Sequence, residues 1–404
     1  MRLSALILFA LFPSLICAQN DLEGSWDCQL KCPGGPLRFK IEIESSLDSD
    51  INASVRNGSE RIEIPIVIAS EKKVVFEFDH YDSKISCERS VDRLKGTWKK
   101  RRGSDKWVEM EFEAAKQNKA NSSHSNKSGE LAKLFDGKWK VQFSKSDDPA
   151  VGIFKSSVDK KMDGTFLTTT GDYRYLHGSI MGKKMELSCF DGAHAFLFRA
   201  AVEQDKMTGD FWSSDTWHES WTAVRDPNAE LADAFSQTVL VADHPLNTFA
   251  FPDLDGNKTR LDDPKFNADA KLIYVFGSWC PNCHDAAAYF KQLQQKYGDS
   301  LSIVGLAFEH TGSFERDAEQ VRKYLKRHAV NYPVLVAGLS DKKLASESIP
   351  FLDKVRSYPT TIFLNSNNEV QAIHTGFTGP ATGEAYQKMK VKFETIIGTL
   401  AGKK

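Results

Sequence analysis

Along the first half of the chain, apolar and polar residues alternate in short runs. In "GSWDCQL" Trp26, Cys28 and Leu30 share one side, and in "GKWKVQF" Trp139, Val141 and Phe143 do the same. A period of two is what a half-buried strand requires. Turn residues such as Pro33-Gly34-Gly35 and Asp163-Gly164 break the runs. From about residue 240 the texture changes. "KLIYVFGSW" (271–279) and "LSIVGLAFE" (301–309) are nearly continuous apolar runs, as expected of strands covered on both faces. Ala286, Phe290, Leu293 and Tyr297, then Val321, Leu325 and His328, recur at helical spacing. A hairpin around Asp255-Gly256 precedes these elements. A short strand (332–338), a helix through 341–355, a hairpin (360–376) and a last helix from about Gly383 to Leu400 follow. Alternating β and α elements that close on an antiparallel hairpin predict an α/β unit with a mixed sheet.

The alternating half is an internal repeat. "LEGSWDCQL" matches "FDGKWKVQF", and "LKGTWKK" matches "MTGDFWS". Gly24 to Gly96 and Gly137 to Gly209 are both 72 residues, and "EKKVVFEFD" lines up between them with "GKKMELSCFD". Two antiparallel β domains, small barrels or sandwiches, are therefore expected over residues 22–114 and 131–226. The polar stretch 115–130 would link them. Residues 227–243 would connect to the α/β domain at 244–404, opening with a short helix started at Asp226-Pro227. Gly-x-Trp at each first strand, with basic residues near each domain end (Lys99 to Arg102, and Arg225), faintly resembles the lipocalin-like barrels.

Composition narrows the class. Charged residues at 26%, hydrophobic residues at 41% and a net charge of -1 describe ordinary globular domains with no global reason to bind nucleic acid. The run Lys99-Lys100-Arg101-Arg102 is expected to cover a solvated face or edge strand. At the N-terminus Met1-Arg2, the apolar "LSALILFALFPSLIC" and small Ala18 predict a secretory signal over residues 1–18. The run is short for a membrane span. A lipid anchor on Cys17 is disfavoured because Ile16 is not small. The mature chain is thus expected to be exported, with no transmembrane span.

In an oxidising compartment disulfides persist. Six of the seven cysteines lie beyond the signal: Cys28, Cys32, Cys87, Cys189, Cys280 and Cys283. Cys28 and Cys32, four residues apart on a strand, would stand roughly 13 Å apart, beyond disulfide reach. A bridge from Cys87 to one of them is the expected pairing, with Cys189 a buried thiol.

"IYVFGSWCPNCHDAAAYF" contains C-x-x-C, a redox pattern, and C-x-x-C-H, a haem-attachment pattern. Placement decides between them. Cys280 falls where a buried strand ends and a helix begins, and backbone N–H groups at a helix N-terminus favour an anion such as a thiolate. Pro281 is tolerated in the first turn, and two intervening residues bring the sulfurs within disulfide reach. Covalent haem also needs an enclosing fold and a second axial ligand. One C-x-x-C supplies only two thiolates for zinc. No metal or dissociable cofactor is expected.

With "FGSWCPNC" followed 75 residues after Cys283 by "YPTTIFLNSNNEV", residues 244–404 resemble the thioredoxin-fold disulfide reductases of the TlpA/ResA-like branch. "FAFPDLDGNKTRL", the inserted strand–helix segment and "IHTGFTGPATGEAY" extend the resemblance. It implies that Cys280 attacks a substrate disulfide, Cys283 resolves the mixed disulfide, and Pro359 is a cis proline shaping the substrate groove. Trp279 and Tyr358 would flank the site, with Pro281, Asn282 and His284 beside the pair. Two departures stand out. The buried acid that many thioredoxins carry six residues before the first cysteine is Tyr274 here, and the glutamate of ResA-like members is Ala286. Glu309, ending the next strand, is the candidate for proton transfer. His284 and Asp285 are expected at the surface.

The expected function is that of an exported thiol–disulfide oxidoreductase of the periplasm or cell envelope. It would act on protein disulfides and, by the same resemblance, be re-reduced by a membrane-embedded thiol electron donor. Oxidant or isomerase chemistry stays open. So does a binding protein in which the thioredoxin-like domain is only a scaffold.

Overall fold

The computed structural model describes residues 21–45, 51–117, 133–157, 160–241, 246 and 249–402. The expected signal, Cys17, and most of the expected linker lie outside them.

Among the described residues, each repeat folds into a nine-stranded antiparallel sheet that curls into a barrel. In the first, strands follow one another in sequence from Gly24–Cys32 to Trp107–Lys116. The last strand returns to pair with the first, setting Cys28 opposite Ala114. Pro65, which can donate no ladder hydrogen bond, splits one strand into Glu60–Ile64 and Ile66–Ala69. The first half pairs with Ile51–Asn57 and the second with Lys73–Phe78, so this single broken strand spans the two sides of the sheet. The second barrel runs from Gly137–Phe143 to Trp217–Arg225, again pairing last strand with first. The two-residue strand Gly171–Asp172 is added at the end of Lys161–Thr168.

The sequence landmarks fall on equivalent places. The indole N–H of Trp26 donates to the Leu22 carbonyl at 2.8 Å, and that of Trp139 to Phe135 at 2.9 Å. A Cβ on Gly96 would lie 1.9 Å from the Ser86 carbonyl oxygen, and one on Gly209 2.3 Å from that of Arg199. Only glycine lets the neighbouring strand approach so closely. Arg225 covers the Trp139 ring at 4.3 Å, but the cation beside Trp26 is Lys116, not the run at 99–102. That run is not simply a solvated face. Lys100 donates to Ala193 of the second barrel at 2.8 Å, and Arg101 bonds Asp82 at 2.5 Å while covering Trp107.

The barrels share a core. Phe190, from the second barrel's Lys184–Phe190 strand, enters the first barrel's apolar cluster. It stacks on Phe39 at 4.4 Å and meets Phe78 and Trp98 edge-on. Asn57 holds the Phe190 backbone from both sides, through its N–H and its carbonyl.

The α/β domain has a five-stranded mixed sheet in the order Val334–Leu339, Leu301–Glu309, Ala270–Phe276, Thr360–Asn365, Val370–Thr375. The first three strands are parallel and the last two antiparallel additions. Ala270–Phe276 is buried at every position, which explains its nearly continuous apolar run. Helices Pro281–Tyr297, Phe314–His328 and Glu384–Leu400 match the expected segments. The helix expected through 341–355 is only Lys342–Ser348, because Pro350 disfavours helical backbone at Ile349. No helix forms after Asp226-Pro227. The Asp226 carboxylate bonds the Asn228 N–H as a turn, and the chain continues until Phe235 packs on His374 at 4.8 Å.

Phe190→Ala empties a site lined by three aromatic rings. It is expected to destabilise the barrels by about 3–5 kcal/mol, read as a lowered urea midpoint followed by tryptophan fluorescence.

Candidate active site

The central strand ends at Phe276, and the chain turns through Gly277, Ser278 and Trp279 into the helix Pro281–Tyr297. Gly277 is required there, since a Cβ would meet the Trp279 indole at 2.2 Å and the Phe308 carbonyl at 2.9 Å. Cys280 caps the helix, its sulfur accepting the Cys283 N–H at 3.3 Å. Its own thiol donates to the Tyr358 carbonyl at 3.4 Å, immediately before the cis Tyr358–Pro359 bond. Cys280, Cys283 and the Tyr358–Pro359 loop thus meet at one point, with both cysteines as free thiols. Cys280 is 6% exposed and Cys283 fully buried. Burial, with Cys280 adjacent, pushes the Cys283 thiol well above its usual range.

Trp279 stacks on His310 at 4.7 Å, meets Tyr358 edge-on at 5.4 Å, and donates to the Phe308 carbonyl at 2.9 Å. Glu309 is buried under the turn. One carboxyl oxygen takes the Ser278 N–H and the other its hydroxyl, each at 2.7 Å. Burial pushes its carboxyl up to about 8.

His284, expected at the surface, is buried. Its Nε2 faces the Ser278 carbonyl at 2.7 Å, and since a carbonyl only accepts, that nitrogen carries the proton. Nδ1 then accepts from His328 Nε2 at 2.6 Å. Burial first, then His328 and His80, holds the His284 imidazole well below the usual range, in its neutral form. The histidine of C-x-x-C-H therefore braces the turn that presents Cys280.

Asp285 was also expected at the surface and is instead half-buried, because the barrels close over the dithiol. Arg174 of the second barrel contacts the Asp285 carboxylate, bonds Glu60 of the first barrel at 2.8 Å, and lies 3.7 Å from Asp191. It also reaches the Pro281 carbonyl at 3.4 Å. The short hairpin before it covers the rest of the site. Asn282 donates to the Asp172 carbonyl at 3.4 Å, Asp172 takes the Gly379 N–H at 2.5 Å, and Ser357 donates to the Thr170 carbonyl at 2.7 Å. From the first barrel, Tyr81 packs edge-on against His284 at 4.6 Å. Nothing in the local sequence around Arg174 announces this role, since Glu60, Pro281 and Asp285 each lie more than a hundred residues away.

Cys28, Cys32, Cys87 and Cys189 are buried free thiols, so the expected bridge to Cys87 is absent. Strand order puts three ladder steps between the Cys28 and Cys87 strands, and both side chains lie in the first barrel's apolar cluster as separate thiols. Among the described residues, no group of three or more His, Cys, Asp or Glu side chains is arranged to hold a metal ion. No helix among them is long and apolar enough to cross a membrane.

A dithiol capping a helix behind a buried strand, on a mixed sheet, defines a thioredoxin-like oxidoreductase. Residues 241–388 match the Redoxin family model. Thioredoxin-like protein YneN of Bacillus subtilis is 30% identical over 128 residues, spanning 32% of this chain and 68% of the relative. Thiol-disulfide oxidoreductase ResA of Halalkalibacterium halodurans is 22% identical over 129 residues, spanning 32% of this chain and 65% of the relative. Through its C-terminal domain the chain belongs to the redoxin family of thioredoxin-like proteins. Among solved structures, a thiol-disulfide oxidoreductase from Bacteroides fragilis aligns with TM-score 0.26 and 19% identity, covering 35% of this chain and 96% of that one. A secreted thiol-disulfide isomerase from Corynebacterium glutamicum aligns with TM-score 0.30 and 13% identity, covering 44% and 96%.

The Arg174 junction is sensitive to pH. Burial, opposed by Arg174, raises the Glu60 carboxyl to about 7, and burial with Asp285 nearby raises Asp172 to about 6. Asp285 is raised by burial too. Only Asp191 is held low, where His194 and Arg174 outweigh burial. Tyr81 and His80 face the same junction from the first barrel. Carboxyls raised in the closed state stabilise it fully below their ordinary values of 4.5 and 3.8, and that contribution is lost as pH rises through about 6 and 7. Iodoacetamide labelling of Cys280 is therefore expected to rise between pH 6 and 8 more steeply than for an isolated thiol. Glu60→Gln should flatten the excess. Arg174→Met, which leaves buried carboxylates unpaired, should loosen the junction by about 3–5 kcal/mol and speed labelling at every pH.

Proposed function

We propose that this protein exchanges disulfides with protein substrates at Cys280-Pro281-Asn282-Cys283. The observation behind this reading is the Cys280 sulfur, which receives a helix N–H at 3.3 Å while facing the carbonyl before cis Pro359 at 3.4 Å. The Cys280 thiolate attacks a substrate disulfide, forming a mixed disulfide and releasing one substrate thiolate. Cys283 then attacks the Cys280 sulfur, the second substrate sulfur leaves, and the pair ends oxidised. Pro359, with Trp279 and Tyr358, lines the groove in which the substrate backbone rests. Glu309, with its carboxyl near 8 and bonded to the turn, is the internal acid through which the proton of the resolving step is relayed. A substrate must first displace the hairpin at Thr170–Asp172, which covers Asn282 and Ser357.

We further propose that the direction is reductive, with a membrane-embedded thiol donor re-reducing the pair, and that the protein works outside the cytoplasm in the cell envelope. The apolar N-terminal stretch of the sequence supports this setting.

With dithiothreitol as donor, the full chain is expected to reduce insulin, and Cys280→Ser to abolish that activity. Cys283→Ser should retain the first step and accumulate a mixed disulfide visible on non-reducing gels. Insulin reduction that is negligible and indifferent to Cys280→Ser would instead mark the domain as a binding scaffold.

A further inference from the structure

The resolving step poses a problem that the dithiol alone does not solve. Cys283 must attack as a thiolate, yet its sulfur is fully buried, and burial resists its ionisation. Solvent is kept away by the barrels. Glu309, bonded to Ser278 through both carboxyl oxygens, serves as the proton relay but is not a hydrogen-bond donor to the sulfur. A polar hydrogen close to the sulfur is what the site needs.

Three tyrosine hydroxyls converge there. Tyr274, in the middle of the fully buried central strand, points its hydroxyl at the Cys283 carbonyl, 2.7 Å away. Tyr324, from the helix Phe314–His328, reaches the same carbonyl at 2.9 Å, and the two hydroxyls are 3.3 Å apart. The hydroxyl of Tyr332 is buried in the same cluster, beside that of Tyr324. The Cys283 carbonyl also sits in a helix, where the N–H four residues on is its ordinary partner. An oxygen with two lone pairs thus has three donors competing for it, and one is surplus. The Tyr274 ring is held by stacking on Phe276 at 4.7 Å and by Phe290 edge-on at 4.9 Å, which keeps its hydroxyl beside Cys283. Brought to the sulfur, that hydroxyl opposes the effect of burial on the Cys283 thiol.

We infer that Tyr274 is a catalytic residue of the resolving step, its hydroxyl turning from the Cys283 carbonyl to the Cys283 sulfur as that sulfur becomes a thiolate. Tyr324 keeps the carbonyl satisfied meanwhile. Burial pushes the Tyr274 phenol well above its usual range, so it donates a hydrogen bond without giving up its proton. The step balances within the complex. Cys283 forms the bond to Cys280, the bond from Cys280 to the substrate sulfur breaks with its electron pair on that sulfur, and the proton released by Cys283 ends there. This inference rests on the exchange proposed at Cys280.

The test uses the reduced full chain and 5,5′-dithiobis(2-nitrobenzoate). Cys280 attacks the reagent and releases one thionitrobenzoate, and Cys283 then releases the second. Tyr274→Phe is expected to slow the second release about tenfold or more, the loss of one hydrogen bond to a charged group. It should leave the first release unchanged and move the pH midpoint of the second upward. Tyr289→Phe removes a buried hydroxyl from the same helix, one bonded 3.2 Å away to the Lys390 carbonyl, and should change neither phase. If Tyr274→Phe does not fold, 3-fluorotyrosine at position 274, a more acidic donor of nearly equal size, should speed the second release. A second release within twofold of wild type in either variant, or equal slowing of both phases in Tyr274→Phe, overturns the assignment. A wild-type chain that gives no first release overturns the exchange at Cys280, and this inference with it.

Discussion

A helix that starts inside a protein must satisfy backbone N–H groups that no earlier turn can reach. In this molecule the N–H of Cys283 is shared between the Cys280 carbonyl at 2.9 Å and the Cys280 sulfur at 3.3 Å. Everything around Cys280 fixes that contact: a strand buried at every position, a glycine where a side chain would strike the Trp279 indole, and a turn held by Glu309 from below and His284 from the side. The sulfur gains donors suited to a thiolate, and the helix gains a cap. Structural and chemical demands meet at one residue, so the motif tolerates little rearrangement of the strand behind it.

The α/β domain was legible because its signals are local. Buried parallel strands show as continuous apolar runs, and the helices between them show period and caps. The barrels were legible through alternation and through glycines spaced by the same 72 residues in each repeat. What escaped depends on distant partners. His284 and Asp285 look like polar residues on a helix surface until His328 and Arg174 arrive from other elements. Lys100 looks solvated until the second barrel offers the Ala193 carbonyl. The cysteine pairing depends on distant strands too, since the order that closes the barrel sets the Cys28 and Cys87 strands three ladder steps apart. The overlong helix at 341–355 ignored Pro350. Tyr274 was visible as a departure from a family pattern, but its use is set by Tyr324, fifty residues on.

Arg174 gives the three domains a common anchor, and its chemistry is asymmetric. One guanidinium faces Glu60, Asp191 and Asp285, with Asp172 close by, so neutrality is reached only while some of these carboxyls hold protons. Buried charge held this way contributes little net stability while its partners are in place, but is costly to leave unpaired. That is suited to a contact that must hold shut and also open. The closed arrangement shields the dithiol, and protonation tunes how firmly.

Shielding has a consequence for the chemistry beneath it. An open thioredoxin-like site can draw on water to solvate a resolving thiolate, whereas a site roofed by two barrels must carry its own donors. A carboxylate placed beside Cys283 would add negative charge next to a sulfur that has to become negative, which disfavours ionisation in a low-dielectric pocket. A phenol avoids that conflict. It remains neutral, packs as an aromatic ring within the apolar core, and still offers one polar hydrogen. The roof and the tyrosines beneath it are therefore two parts of one arrangement: the more completely the barrels exclude water, the more the resolving step depends on the hydroxyl of Tyr274.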